Sequence, residues 1–333
     1  MRNCSVLVTT HPFGASNSLP IDVLKAARLD YRLNPLGRKL TEHDLVELVP
    51  GVRYLIAGTE PITERVLDAG SDLKLISRVG VGLDSVDLLA ARDRGIAVAY
   101  TPEAPAPAVA ELTIGLMLSL LRGVHVANAQ MHRGEWQRVF GRRIPEVTIG
   151  IVGTGRIGGR VLRRLSAFGS PRVLVNDIVL ESQVAPNLKL EWVGKDALYR
   201  ESDVISIHVP LTPETRGMIG EPELLSMKPD ACLINVARGG IVDEAALHRV
   251  MLEGHLAGAA IDVFEIEPYV GPLVEIERCL LTSHMGSMSL DCRERMEIEA
   301  TEEVVRIHRG EPLLNSVPEG EYEMASAARQ APG

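Results

Sequence analysis

The stretch "IVGTGRIGGR", residues 151–160, places glycines at the first, third and sixth positions of a loop. An apolar run, "VTIGIV", precedes the loop, and an amphipathic pattern built on Val161, Leu162 and Leu165 follows it. This order predicts a strand, a tight turn and a helix, which together are typical of the first βαβ unit of a dinucleotide-binding domain.

Each of the three glycines has a separate expected role. Gly153 permits the tight turn, Gly155 lets a pyrophosphate approach the backbone, and Gly158 lets the helix pack closely on the strand. The phosphates are expected at the helix N-terminus, where free N–H groups and the helix dipole attract an anion. Taken alone, the loop is also compatible with a purely structural glycine turn.

An acidic residue follows the next strand at the spacing that a dinucleotide site requires. The run "RVLVN" ends at Asp177, where a carboxylate would hydrogen-bond the adenosine ribose hydroxyls. No arginine follows it in "DIVLES". Because a carboxylate repels a 2′-phosphate, the sequence predicts NAD in preference to NADP.

Short apolar runs alternate with helical patterns along the 333 residues, which predicts an α/β architecture with parallel sheets. The expected strands are 6–9, 54–57, 73–77 and 96–99 in a first series, and 148–152, 173–176, 204–208, 232–236, 259–263 and 280–283 in a second. The six strands of the second series would form a full doubly wound sheet. The proline cluster in "YTPEAPAPAVAEL" separates the two series and marks a hinge or domain crossing.

Local signals refine this outline. Thr41 and Asp44 form an expected capping box, and Asp84 is the expected cap of a helix that ends at Gly95. The polar tail after Pro318 is expected to be mobile.

Composition limits the class of function. The formal net charge of −9 argues against binding to nucleic-acid phosphates or to anionic membranes. The apolar segment 112–121 is too short for a bilayer, and the N-terminus lacks a signal-peptide cleavage pattern. Four separated cysteines without a CxxC pair suggest neither a zinc site nor a disulfide framework. We therefore expect a soluble cytoplasmic protein that acts on small molecules.

Three polar residues follow the later strands, at the sheet edge where such folds bind ligands. They are Arg238 in "NVARGG", Glu267 in "EIEP" and His284 in "SHMG". Each alone also has a structural interpretation, as a cap, a surface residue or a loop residue. Together they suit hydride-transfer chemistry, in which a cation binds a carboxylate and a histidine next to a carboxylate transfers a proton.

With these residues in place, the chain resembles the D-isomer-specific 2-hydroxyacid dehydrogenases, a family that includes phosphoglycerate dehydrogenase, hydroxypyruvate reductase and D-lactate dehydrogenase. The matching blocks, in order, are "RVGVGLDSVDL", "AVAEL", "GIVGTGRIG", "HVPLTPET", "LINVARGGIVDE", "AIDVFEIEP" and "LTSHMGS". The resemblance extends from the start of the chain to residue 316.

The resemblance implies a Rossmann doubly wound parallel sheet, inserted into a second, smaller, flavodoxin-like α/β substrate domain, with the active site in the cleft. The implied NAD-binding domain is residues 101–286, and the discontinuous substrate domain is residues 1–100 and 287–333. A homodimer joined through helix 109–121 and segment 126–136 is also implied.

The family's roles transfer to individual positions of this chain. Arg238 would bind the substrate carboxylate and carbonyl oxygen, His284 would transfer the proton, and Glu267 would orient His284 and favour its protonated form. The other implied cofactor contacts are Arg156, Ile157, Asp177, His208, Val209, Pro210, Thr215, Ala237, Arg238, Asp262, His284 and Gly286. The substrate carboxylate would lie on the backbone N–H groups of Val79, Gly80, Val81 and Gly82, because a loop with two glycines can form an anion nest.

Several positions depart from the family pattern. Ser283 replaces the usual proline before the histidine, and the loop "AGTEPIT" (57–63) has Glu60 instead of the basic residue that phosphoglycerate dehydrogenases use for phosphate. Arg78, His11 and Arg38 are the remaining candidates for a positive charge near a second anionic group of the substrate.

The leading hypothesis is an NAD(H)-dependent enzyme that interconverts a 2-oxoacid and a D-2-hydroxyacid. One alternative is a dinucleotide-sensing binding protein that resembles the family's corepressors, which keep the same three residues. Another is a formate- or phosphite-type dehydrogenase, which is disfavoured because "RVGVGLDSV" contains no lysine.

Overall fold

The computed structural model describes residues 4–180 and 184–330. The chain divides into two compact units. The first unit is Met1–Pro105 with Met288–Gly333, and the second is Ala106–Ser287. The chain enters the second unit within the proline-rich segment.

The strands are β1 (Val6–Val8), β2 (Tyr31–Leu33), β3 (Tyr54–Ala57), β4 (Leu75–Arg78), β5 (Ala97–Ala99), β6 (Thr148–Val152), β7 (Arg172–Asn176), β8 (Leu190–Trp192), β9 (Val204–Ile207), β10 (Cys232–Asn235), β11 (Gly258–Ile261) and β12 (Cys279–Leu281). The helices are α1 (Leu19–Ala26), α2 (Glu42–Leu48), α3 (Glu64–Ala69), α4 (Leu88–Asp93), α5 (Ala106–Arg122), α6 (Val124–His132), α7 (Arg156–Leu165), α8 (Lys195–Glu201), α9 (Glu221–Ser226), α10 (Glu244–Leu252), α11 (Leu290–Arg309) and α12 (Glu319–Gln330).

The first unit contains a parallel sheet in the order β2-β1-β3-β4-β5. This is the flavodoxin-like order, so the predicted fold of this unit is confirmed. Strands β1, β3 and β4 are buried at every position, which explains the continuous apolar runs of β1 and β3, whereas β4 ends in the buried polar residues Ser77 and Arg78. The edge strand β2 was not predicted, because its three half-exposed residues carry no apolar run.

The second unit contains a seven-stranded parallel sheet in the order β12-β11-β10-β9-β6-β7-β8. Counted within the unit, this is the Rossmann order with one additional edge strand, which confirms the predicted fold class. The prediction of six strands missed β8, a short edge strand of half-buried residues. Strand β6 lies between β7 and β9, so the glycine loop after β6 emerges where the strand order reverses.

Of the two helix caps predicted from the sequence, one is confirmed and one is wrong. The Thr41 hydroxyl accepts from Asp44 N, and the Asp44 side chain accepts from Thr41 N, so the predicted capping box is confirmed. The predicted cap Asp84 is wrong. The N-cap of α4 is Asp87, whose side chain accepts from Ala90 N, because the helix begins one turn later.

The tail after Pro318, predicted to be mobile, contains a helix, because residues 319–330 form α12. This helix contacts α4 through its charged residues. The Arg92 guanidinium pairs with Glu319 and lies 3.5 Å from the centre of the Tyr322 ring, and Arg329 pairs with Asp87. A polar composition does not prevent helix formation when ionic and cation–π contacts stabilise the docked helix.

Helices α5 and α6 meet at Gly123, whose φ of 58° lies in the left-handed region. The two axes differ by 66°, and only as a bent pair do these helices have the length and composition of a membrane span. No single helix within residues 4–180 and 184–330 is long and apolar enough to cross a membrane. Most apolar residues of α5 are buried in the core of the second unit.

Candidate active site

The glycine loop has the shape that a pyrophosphate requires. Gly153 has a φ of 92°, and a Cβ atom there would lie 2.5 Å from the carbonyl oxygen of His208. A Cβ atom on Gly158 would collide with the carbonyl oxygen of Gly153, so only glycine allows α7 to approach the strand this closely. Above Gly155 the space is open, since a Cβ atom would meet nothing within 4 Å. Arg156 and Ile157 begin α7, where the backbone N–H groups lack helical partners.

Asp177 follows β7 and is held by the glycine loop itself. Its Oδ2 atom accepts hydrogen bonds from Thr154 N at 2.6 Å and Thr154 Oγ1 at 3.0 Å, and its Oδ1 atom accepts from Val179 N at 3.0 Å. Burial opposes ionisation of this carboxyl, but the hydrogen bonds from Thr154 and Val179 outweigh it and lower the pKa of Asp177. The carboxylate is therefore charged and oriented at neutral pH. Sequence reasoning missed the role of Thr154 in this arrangement.

The loop after β9 forms a wall beside the glycine turn. The N–H group of His208 donates to the Val152 carbonyl oxygen at 2.7 Å, and the Val209 side chain packs against Gly153. Burial lowers the pKa of His208 to about 3, so its ring is neutral under all working conditions. Thr215 closes the loop by donating to the Pro210 carbonyl at 2.7 Å.

The predicted proton-transfer residues lie at the carboxyl ends of neighbouring strands. Glu267 follows β11 and His284 follows β12, and these strands are paired. The Nδ1 atom of His284 lies 3.0 Å and 2.9 Å from the two carboxylate oxygens of Glu267. His284 has a φ of 53°, a conformation that a non-glycine residue adopts only when its surroundings hold it there.

Asp262 supplies that support. His284 N donates to the Asp262 carbonyl at 2.8 Å, and the Asp262 carboxylate accepts from Thr282 Oγ1, Met285 N and Gly286 N at 2.6–2.9 Å. Asp262 is buried, and its carboxylate organises the whole histidine loop. The sequence analysis gave Asp262 only a contact with the nicotinamide. Its position directly after β11, next to the strand that precedes His284, is the sequence feature that could have indicated its hydrogen bonds to the histidine loop.

Arg238 follows β10, which pairs with β11, so all three predicted catalytic residues emerge at one edge of the sheet. Asn235 shapes the turn: its Nδ2 atom donates to the Arg238 carbonyl at 2.9 Å, and its Oδ1 atom accepts from Ala237 N at 3.1 Å. The guanidinium Nη1 atom of Arg238 donates to the Ala237 carbonyl at 2.7 Å. A Cβ atom on Gly239 would collide with the backbone of Phe264, so the turn requires glycine.

In the first unit, the predicted anion nest is partly used internally. Val79 N donates to the Ala57 carbonyl oxygen at 2.8 Å, and Gly80 N donates to Thr101 Oγ1 at 2.8 Å. Within the described part of the chain, the N–H groups of Val81 and Gly82 have no hydrogen-bond acceptor. Val79 and Gly80 therefore shape the turn, and of the four predicted N–H donors those of Val81 and Gly82 are not used by the hydrogen bonds of the described residues.

The charged residues predicted near the substrate have mainly structural contacts. Glu60 is 2% exposed, and its carboxylate accepts from Gly58 N at 2.8 Å and from the Thr9 hydroxyl. Arg38 is paired with Asp44 through two hydrogen bonds. Arg78 is buried beside its own backbone, with Nη1 donating to the Val79 carbonyl at 3.1 Å, whereas His11 is exposed.

Comparison with known proteins decides the family. Residues 114–286 match the family model described as D-isomer specific 2-hydroxyacid dehydrogenase, NAD binding domain. A hydroxypyruvate reductase of Thermotoga maritima is 36% identical over 82% of this chain and 90% of that protein. The chain belongs to this family.

Two further relatives extend the comparison. A D-3-phosphoglycerate dehydrogenase of Methanocaldococcus jannaschii is 37% identical over 84% of this chain, and the chain spans about half (54%) of that protein's length. The crystal structure of an Aquifex aeolicus D-lactate dehydrogenase complexed with NAD and lactic acid has a TM-score of 0.84 and 27% identity, covering 94% of this chain and 98% of that one. The predictions of an NAD-dependent oxidoreductase of this family and of NAD as its cofactor are confirmed.

Proposed function

We propose that this protein interconverts a 2-oxoacid and a D-2-hydroxyacid in the cytoplasm with NAD(H) as its cofactor. The observation that carries the proposal is the His284–Glu267 pair, in which Nδ1 is 2.9–3.0 Å from both carboxylate oxygens. A histidine held in this way has one ring nitrogen engaged by the carboxylate and the other directed to its reaction.

The proton is carried by Nε2 of His284. Because Nδ1–H donates to Glu267, the tautomer is set, and Nε2 has no hydrogen-bond partner within the described residues. In the reductive direction, the protonated Nε2 gives its proton to the carbonyl oxygen of the substrate. The Glu267 carboxylate accepts from Nδ1–H and keeps the ring oriented during this transfer.

Arg238 binds the negative charge of the substrate. Its guanidinium has two donor edges that can hold the carboxylate and the carbonyl oxygen together, and it stabilises the charge that develops on that oxygen. The N–H groups of Val81 and Gly82 are the proposed additional donors to the carboxylate. The glycine loop and Asp177 would hold the cofactor, which when bound would supply a hydride as NADH in the reductive direction or accept one as NAD⁺ in the oxidative direction.

A substrate panel tests the proposal. We expect NADH-dependent reduction of at least one of glyoxylate, pyruvate and hydroxypyruvate, measured as loss of NADH absorbance. The same panel with and without a terminal phosphate or phosphonate establishes whether the substrate has a second anionic group. If no 2-oxoacid is turned over while NADH still binds, the catalytic proposal is wrong, and the dinucleotide-sensing alternative gains support.

The cofactor preference follows from Asp177. We expect the wild-type protein to prefer NAD over NADP, and Asp177→Ala to reduce that preference by about tenfold or more, because the variant removes the charge that repels a 2′-phosphate. The measurement is kcat/KM for NADH and NADPH in both proteins. Asp196→Ala, an exposed acid on α8, is the control. Equal use of NADP by the wild type would contradict this role of Asp177.

The Glu267 carboxylate is proposed to hold the His284 ring for proton transfer. Glu267→Gln keeps the size of the side chain but removes the charged acceptor at His284 Nδ1, so kcat for reduction is expected to fall about tenfold or more. The measurement is kcat for both proteins, with Glu265→Gln, an exposed neighbour, as the control. An unchanged kcat would mean that Glu267 does not act on His284.

We propose a homodimer formed through the second unit, with helix 109–121 and segment 126–136 in the interface. The main support for this interface comes from the segment that follows α5. Helix α6 has no buried residue, and the side chain of Trp136 is 79% exposed. Exposed apolar clusters of this kind mark protein–protein contacts. We expect a dimer in sedimentation at micromolar concentration, and dissociation in Trp136→Glu but not in Leu252→Glu. A monomeric wild-type protein would contradict the proposal.

A further inference from the structure

The turn that carries Glu267 packs directly against the turn that carries Arg238. A Cβ atom on Gly239 would collide with the Phe264 carbonyl and with Glu265 N, so the two backbones touch at this point. Phe264 N donates to Glu267 Oε1 at 3.2 Å, which ties the carboxylate to its own turn. The placement of the Glu267 carboxylate therefore depends on what holds the backbone of residues 264 and 265.

Glu244 contributes a second contact to this turn. Its Oε1 atom accepts a hydrogen bond from Glu265 N at 2.7 Å. Glu244 is the first residue of α10 and belongs to the same stretch, "ARGGIVDE", that carries Arg238 and Gly239. This stretch therefore meets the Glu267 turn at two points, by close packing at Gly239 and by the hydrogen bond that Glu244 accepts.

The start of α10 is a firm support for Glu244. Asp243 caps the helix, because its side chain accepts from Ala246 N at 2.9 Å. Asp243 N donates to the Ile219 carbonyl oxygen at 2.9 Å, which fixes the backbone just before Glu244 to a different segment. Because these bonds hold the helix start from outside the turn, a shift of the helix would not compensate for a shorter side chain in place of Glu244.

Glu244 accepts its hydrogen bond among other acids. Burial raises the pKa of Glu244, and the negative charges of Glu265, Asp243 and Glu267 add to this effect, while the hydrogen bond from Glu265 N opposes it without cancelling it. The surroundings therefore disfavour a negative charge on Glu244. Its contact with Glu265 N requires only an acceptor oxygen, which a carboxyl or an amide group can supply.

We propose that Glu244 is a positioning residue for proton transfer: through Glu265 N, it holds the turn that presents the Glu267 carboxylate to His284. The inference rests on the proposed function, in which Glu267 keeps the His284 ring oriented. The contribution of Glu244 depends on the length of its side chain and not on its charge.

Two variants of Glu244 separate length from charge. Glu244→Gln keeps the length and an acceptor oxygen, so kcat for reduction is expected to stay close to that of the wild type. Glu244→Asp keeps the acid, which is favourable at a helix start, but is one methylene shorter. Its oxygen does not reach Glu265 N, so kcat is expected to fall about tenfold.

Steady-state rates and a fluorescence titration with NADH measure these effects. KM for the 2-oxoacid and NADH binding are expected to stay nearly unchanged in both variants, because Glu244 acts on the proton-transfer pair. The control is Glu221→Asp, the same substitution at an exposed acid in the first turn of α9, which is expected to keep the wild-type kcat. A wild-type kcat in Glu244→Asp would overturn the proposal. A defective Glu244→Gln beside an active Glu244→Asp would show that charge matters, and would overturn it as well.

The NMR signals of the His284 ring provide a measurement that needs no turnover. They are assigned by their absence in His284→Ala. We expect them to shift in Glu244→Asp and to keep their wild-type positions in Glu244→Gln and Glu221→Asp, because only the first variant moves the carboxylate that holds the ring. Unchanged signals in Glu244→Asp would overturn the proposal, whatever its kcat. If the wild type reduces no 2-oxoacid but the signals respond as expected, the proposed function is wrong and the positioning role of Glu244 is supported.

Discussion

In His284→Ala, kcat for reduction of the preferred 2-oxoacid is expected to fall by about 100-fold or more, the range for loss of a general acid. The imidazole is the only group in the proposed mechanism that gives a proton to the carbonyl oxygen, and alanine leaves no acid in its place. NADH binding is expected to stay nearly unchanged, because the glycine loop and Asp177 lie after different strands. Steady-state rates and a fluorescence titration with NADH measure the two quantities separately.

The control for this variant is His43→Ala, which removes an exposed histidine from α2 in the first unit. We expect it to keep the wild-type kcat. If His284→Ala retained most of the activity, the proton would have to come from another group. If it lost NADH binding as well, the substitution would have disturbed the loop that Asp262 holds, and the fall in kcat would no longer measure proton transfer.

In Arg238→Lys, kcat/KM is expected to fall by about 10- to 100-fold, with a higher KM and a lower kcat. Lysine keeps the positive charge but loses the planar pair of donors that can bind the carboxylate and the carbonyl oxygen at once. The carboxylate contact is made in the ground state, and the contact to the oxygen strengthens as charge develops on it, so both constants change.

The matched control is Arg249→Lys on α10, an exposed arginine paired with Glu221. It makes the same substitution in the same unit and is expected to leave both constants unchanged. A rise in KM alone for Arg238→Lys would show that Arg238 binds substrate and transition state equally, and its proposed role at the carbonyl oxygen would be wrong.

The shape of the glycine loop could be predicted from a short stretch of sequence. The positive φ of Gly153 and the close approach at Gly158 depend on the absence of a side chain at two positions of one short stretch. Such constraints can be identified without knowing the rest of the fold. The central strands could also be predicted, because strands that are buried on both faces tend to be rich in apolar residues.

The edge strands and one helix cap could not be predicted from the sequence. Strands β2 and β8 have three residues each and face solvent in part, so their side chains carry no distinct pattern. Asp84 and Asp87 are both good caps by residue type, and only the actual start of α4 distinguishes them. Helix α12 depends on Arg92 and Asp87, more than 200 residues away in the chain.

By itself, the sequence determined the α/β class, the family, the cofactor loop and the identity of Arg238, Glu267 and His284 as candidates, because each rests on residue types at short spacings. Only the tertiary structure decided that Asp262 holds the histidine loop, that Glu60 is buried, and that the N–H groups of Val79 and Gly80 are already used. These are contacts between segments far apart in the chain, and their geometry follows from packing, which no local pattern specifies.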